Sequence, residues 1–262
     1  MITAHTYLGV RRTSVSKTKL DLNWVPCDQR MWQAQREDEA LKTQGLGQFS
    51  QVIRGRAKVM EIQGLLYMPD ISGFTKFVTQ TEIEHSNEII SDLIEVIIKS
   101  NMLELKVSEI EGDAVLFYLL GKPPAMEQII DQTKKTFIDF HINLRVMERD
   151  FDCNCRACSS VSNLTLKFIT HYGECRETKI HSFTKLIGSD VILAHRLLKN
   201  RVPDSEYILM SEKYLKSQES QLIRPEAWMK IKQDVEVLED FGEINVEYIP
   251  LTPLRRLVPE LS

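Results

Sequence analysis

No stretch of this 262-residue chain is apolar for anything like the roughly 18–20 residues that a membrane-spanning helix needs. Nor is there an excess of positive charge. The 33 lysines and arginines face 37 aspartates and glutamates, a formal net of −4, whereas a nucleic-acid-binding surface normally shows a basic excess. Cysteine is sparse and odd in number, five in all, which does not read as the paired framework of a small secreted domain. The N-terminus carries charges early and shows no apolar run followed by a small-residue cleavage site. Neither a membrane nor a nucleic acid is therefore expected as a partner, and a reducing cytoplasm is the expected setting. What remains is ordinary globular material, 43% hydrophobic and 27% charged, enough to build a core over most of the length.

Residues 1–59 read differently from the rest. They mix polar and charged residues without a sustained period of 2 or 3.6, and are expected to be an N-terminal extension, poorly ordered or partly helical. From Gly64 the pattern strengthens. Leu65–Met68 is an apolar run suited to a buried strand, followed by a turn and helix start at Ile71–Thr75. His85–Asn101 repeats Ile and Leu three or four apart, as an amphipathic helix does. Two strand-like runs, Leu103–Glu111 and Ala114–Leu120, flank Gly112-Asp113, a hairpin signal. A long helix is expected from Pro123 to about Asp150, then a strand at Leu164–Tyr172, a helix at Ser189–Asn200, and strands at Glu206–Met210 and Val246–Leu251. The order β-α-β-β-α-β followed by α-β-β predicts an α+β fold, a ferredoxin-like antiparallel sheet with helices on one face. One domain is expected over residues 60–255, with a short C-terminal tail at 256–262.

In such a sheet the strand carrying Asp70 and the hairpin carrying Asp113 are neighbours, so their carboxylates can converge. Two hard oxygen donors suit Mg²⁺ or Mn²⁺, which complete their shells with water and phosphate. The Gly73-Phe74-Thr75 turn opens a helix whose free N–H groups favour phosphate. A plainer reading stands beside this one: an Asp before a helix is commonly an N-cap, and a Gly-Asp in a hairpin commonly just makes the turn.

The stretch Pro69-Asp70-Ile71-Ser72-Gly73-Phe74-Thr75, with Glu111-Gly112-Asp113 some forty residues later, closely resembles the class III nucleotidyl cyclase domain. The resemblance continues through Gly188–Arg196 and ends at Gly242-Glu243 and Val246-Glu247-Tyr248. More narrowly, the chain is similar to a bacterial family of cyclase-like proteins with no assigned function. The resemblance implies that Asp70 and Asp113 hold the metals, with the backbone carbonyl of Ile71 as a third ligand. It implies that Gly73, Phe74 and Thr75 cradle phosphate and that Glu109 reads the base, with Lys185 near its companion position. Arg196 would stabilise charge on the α-phosphate, its guanidinium offering a fixed fork of donors. It further implies a homodimer, with metal and transition-state residues contributed by opposite subunits, and a nucleoside triphosphate as ligand.

Two positions depart from the family's pattern. Ile192 stands where an asparagine usually assists Arg196, and Asp240-Phe241 replaces a basic pair that holds terminal phosphates. The expected function is accordingly nucleoside triphosphate binding with a divalent metal, with formation of a cyclic nucleotide and release of pyrophosphate. The alternative is a catalytically degenerate homologue acting as a ligand sensor or dimeric signalling module. Cys153, Cys155 and Cys158 lie within six residues and supply three ligands for a structural Zn²⁺, with Cys175 or a histidine as the fourth; free thiols in a loop are the other reading. His195, beside Arg196, is open to either proton transfer or local packing.

Overall fold

The computed structural model describes residues 62–150, 153, 155–218 and 225–260. The chain divides into Met1–Val59 and Met60–Ser262. The expected N-terminal extension lies outside the described residues, as do the last two residues of the expected tail.

The strands are β1 (Gln63–Ser72), β2 (Lys106–Glu111), β3 (Ala114–Leu120), β4 (Thr165–Glu174), β5 (Arg176–Ile180), β6 (Phe183–Ile187), β7 (Tyr207–Ser211), β8 (Lys232–Leu238) and β9 (Gly242–Pro250). The helices are α1 (Phe74–Gln80), α2 (Ile83–Lys99), α3 (Met126–Asp150), α4 (Arg156–Ser160), α5 (Ser189–Leu197) and α6 (Glu212–Ser217). Seven strands form one sheet in the order β2-β3-β1-β4-β7-β9-β8, and β5 and β6 form a separate hairpin. Every neighbouring pair in the large sheet is antiparallel except β4 and β7. The α+β architecture is the expected one.

The unbroken apolar run of β1 follows from its position between β3 and β4, because a central strand covered on both faces has no side for polar residues. Leu65, Tyr67 and Ile71 join the core beneath α2 and α3, together with Ile89, Leu93, Phe137 and Phe140. Leu66 and Met68 point the other way, into a second core that α5 closes with Val191, Leu193, Ala194 and Leu197. The two long helices thus occupy one face as expected, and α5 covers part of the opposite face. Each large side chain fully buried here is worth about 1.5–3 kcal/mol. Tyr67 brings a hydroxyl into the first core and satisfies it on Thr133 Oγ1 at 3.1 Å.

Pro69 lies inside β1. It has no N–H to donate, and β1 pairs with β3 at Tyr67 and again at Asp70 but not between. The opening falls immediately before the candidate metal ligand.

Candidate metal and nucleotide site

Asp70 sits within β1, which continues to Ser72, and the N-cap of α1 is Gly73 at φ +92°. The plain N-cap reading of Asp70 therefore does not apply. Asp113 does occupy a tight hairpin, entered through Gly112 at φ +63°, a conformation that glycine adopts without steric cost. That hairpin folds back on β1, where the Ile71 N–H donates to the Asp113 carbonyl at 3.3 Å. Burial, with the adjacent Asp70 charge, pushes the Asp113 carboxyl up to about 7. Two crowded carboxylates that hold a proton near neutrality form a donor set that a hard divalent cation fits.

Both aspartates line an open cleft of about 830 Å³. Gly73, Phe74 and Thr75 line it as well, as do Arg196 of α5 and Lys199 just beyond its end. The structure thus brings Asp70, Asp113 and Arg196 to one cleft of one chain. Four cationic side chains (Lys76, Lys167, Arg196 and Lys199) surround three carboxylates, Asp70, Glu111 and Asp113. Such a mixed lining suits an anion that carries its own metal. Helix α1 is only seven residues long, so what it offers an anion is the free N–H groups of its first turn more than an axial dipole.

Lys167 was not anticipated by sequence reading. It faces Asp70 directly across β4 and β1, with Nζ 3.0 Å from Asp70 Oδ2. The same Nζ donates to the Leu198 carbonyl at 2.9 Å, one of the free carbonyls where α5 ends. One lysine therefore ties the acidic pair to the helix that carries Arg196. The helix was expected to reach Asn200 but stops at Leu197. Alternation along β4 was the available signal, since an inward lysine in a buried strand needs a partner.

Glu109 does not line the cleft. Its Oε1 is 3.2 Å from His195 Nε2, and its Oε2 is 3.8 Å from Lys185 Nζ. The other ring nitrogen of His195, Nδ1, is 3.1 Å from Glu111 Oε2. The register of β2 shifts between Val107 and Glu109 and is regular from there to Glu111, which leaves these two glutamates on one face. His195 thus bridges both. Ile192 is 55% exposed at the cleft, and Arg196 Nη2 is 3.2 Å from Asp240 Oδ2. Both departures from the expected pattern lie at the cationic wall.

Cys153, Cys155 and Cys158 gather at the end of α3, and the histidine beside them is His85 from the first turn of α2. All four ligand atoms lie within 4.8 Å of one another, a group able to hold a metal. The Cys155 thiol is lowered to about 7, chiefly because its sulfur accepts the Cys158 N–H, while burial pushes Cys158 up to about 12. Cys175, the other expected fourth ligand, is buried in the second core and takes no part.

Comparison with known proteins agrees with the architecture. A model of a family described as "Protein of unknown function (DUF2652)" matches residues 90–207. The uncharacterized protein Rv2561/Rv2562 of Mycobacterium tuberculosis (strain ATCC 25618 / H37Rv) is 36% identical over 117 residues, 41% of this chain and 50% of that protein. The chain thus spans about half the length of the relative that it matches. Among solved structures, the adenylyl cyclase CyaB from P. aeruginosa has a TM-score of 0.49 at 14% identity, over 72% of this chain and 93% of that one. A bacterial light-regulated adenylyl cyclase has a TM-score of 0.51 at 14% identity, over 75% of this chain and 55% of that one. The fold is that of a class III cyclase domain. Within the cyclase fold, chemistry has to be argued from the cleft. No helix among the described residues is long and apolar enough to cross a membrane.

Proposed function

We propose that this domain binds a nucleoside triphosphate together with Mg²⁺ or Mn²⁺ and closes it to a cyclic nucleotide. The observation that carries this reading is the meeting of Asp70, Asp113 and Arg196 in one cleft. Asp70 and Asp113 would hold the metal, with the Ile71 carbonyl beside them. When bound, that ion lowers the negative charge on the phosphates and the pKa of the ribose 3′-hydroxyl.

The chain's own groups do the rest. The N–H groups at the start of α1 donate to phosphate oxygens. Arg196 and Lys199 lie against the charge that develops as the 3′-oxygen bonds to the α-phosphorus and pyrophosphate departs with the electron pair of the broken P–O bond. The hydroxyl proton passes to solvent. Glu109 would contact the base once it leaves His195. The meeting of Asp70, Asp113 and Arg196 in one chain's cleft departs from the expected contribution by opposite subunits, so the proposed homodimer rests on the exposure of Ile192 at the cleft and Phe183 on the hairpin, 55% and 75%.

A second reading, a nucleotide sensor that does not turn over, is favoured by one observation: Asp240 pairs with Arg196, and an acidic side chain there opposes a triphosphate. Incubating the full chain with Mn²⁺ and each of the four ribonucleoside triphosphates, with mass detection of the cyclic monophosphate, decides between them. Product that is lost in Asp70→Asn and Arg196→Ala supports the enzyme. Metal-dependent nucleotide binding by calorimetry, without product, supports the sensor.

A further inference from the structure

We infer that His85, Cys153, Cys155 and Cys158 form a Cys₃His zinc centre that clamps α4 onto the α1–α2 segment. The site is independent of the nucleotide cleft and of its proposed chemistry.

The geometry is already close to that of a bound ion. A tetrahedral centre with Zn–S about 2.3 Å and Zn–N about 2.0–2.1 Å places its ligand atoms roughly 3.5–3.8 Å apart. Here His85 Nδ1 is 3.3 Å from Cys155 Sγ and 3.6 Å from Cys158 Sγ, and all four donors lie within 4.8 Å. The closing ligand is remote in sequence, 70 residues before Cys155, so the constellation is made by the fold. Four protein ligands also leave no open position, which is the arrangement of a structural ion.

The surroundings point the same way. Cys158 and Ala157 are buried, at 7% and 0% exposure, so the ligand loop is anchored in the core. The Ala157 N–H donates to Glu82 Oε2 at 3.3 Å, a second tie between α4 and the residue preceding α2. A hollow of about 280 Å³ lined by Glu82, Glu84, His85 and Cys155 gives an ion access from solvent. Helix α4 itself packs against α1, and α1 opens at Gly73 in the nucleotide cleft. With only five residues, α4 is far too short to be stable without such ties.

The test uses the full chain, purified under reducing conditions. One equivalent of zinc by elemental analysis is expected, and Co²⁺ replacement should give thiolate charge-transfer and tetrahedral d–d bands. His85→Ala should lower affinity at least tenfold and shift the visible bands. His85→Cys should restore a tetrahedral site of four thiolates. Cys175→Ser should leave the bound zinc unchanged, and this also guards against loss of metal through general unfolding. A chain that refolds with all thiols reduced, yet binds neither zinc nor Co²⁺ in chelator-free buffer, overturns the proposal. So does equal zinc affinity in His85→Ala, or a Cys155–Cys158 disulfide in the freshly isolated protein.

Discussion

Lys167 is the residue whose removal separates the roles mixed in the cleft. Its ammonium neutralises part of a pair of carboxylates that would otherwise repel each other, and it caps α5 at Leu198. Replacing it with methionine keeps the stem and deletes the charge. With both carboxylates ionised, as a bound cation requires, the local formal charge falls from −1 to −2, counting Asp70, Asp113 and Lys167. Two unit charges about 4 Å apart interact by roughly 4 kcal/mol at an effective dielectric constant of 20. Even heavily screened, this predicts Mn²⁺ binding at least ~10-fold tighter in Lys167→Met by calorimetry. The metal-free protein should lose about 1–3 kcal/mol of stability, because a carboxylate and a helix-end carbonyl lose their donor. Mn²⁺ affinity that is unchanged or weaker would mean that Lys167 does not compete with metal for Asp70.

At the scale of elements, the end of β4 and the start of α5 fit together through glycine. A Cβ on Gly173 would meet Asp190 Cγ at 2.3 Å, and Asp190 cannot move aside. It accepts from the Glu174 N–H at 2.8 Å, from Lys213 at 2.6 Å, and lies 2.9 Å from His171 Nε2. Gly173→Ala is therefore expected to cost about 1–3 kcal/mol through overpacking, read as a lower denaturation midpoint at constant slope. Unchanged stability would show that α5 slides freely on the sheet. The elements themselves were unequally legible. β1 and β3 declared themselves as continuous apolar runs and α2 and α3 by a helical period, both patterns forced by burial. The β5–β6 hairpin and β8 did not, because most of their residues are exposed or half-buried on both sides and no face demands apolar residues. Asp70, Asp113 and Arg196 could be picked out from a motif, and the three cysteines from their spacing. His85 could not, since it acquires its partner across 70 residues, and for Lys167 the alternation of β4 marks an inward lysine without naming Asp70 across the strand pair as its partner.

Across the whole molecule, a single buried acid joins distant parts of the chain and sets how the fold responds to acid. Glu206, just before β7, is 2% exposed. The Arg255 guanidinium near the C-terminus donates to it from Nε at 2.9 and 3.0 Å. His141 of α3 lies 3.2 Å away at an angle that makes no good hydrogen bond, so the Arg255 fork is the stronger partner. Burial alone would raise the Glu206 carboxyl, but contacts with His141 and Arg255 outweigh it and hold it at about 2. A carboxyl depressed in the folded state stabilises fully above its unfolded value and loses that contribution as pH falls through the folded one. Stability from this group should thus be complete above about pH 4.5 and drain away towards pH 2. His141, which burial holds below its ordinary value, acts in the same direction, because the unfolded chain takes up its proton first. Glu206→Gln keeps the shape and removes the titration. Its melting temperature should lie below that of the parent at pH 7, with the gap closing between pH 4.5 and 2. A gap that stays constant over that window would place the acid sensitivity elsewhere and reduce Glu206 to a packing residue.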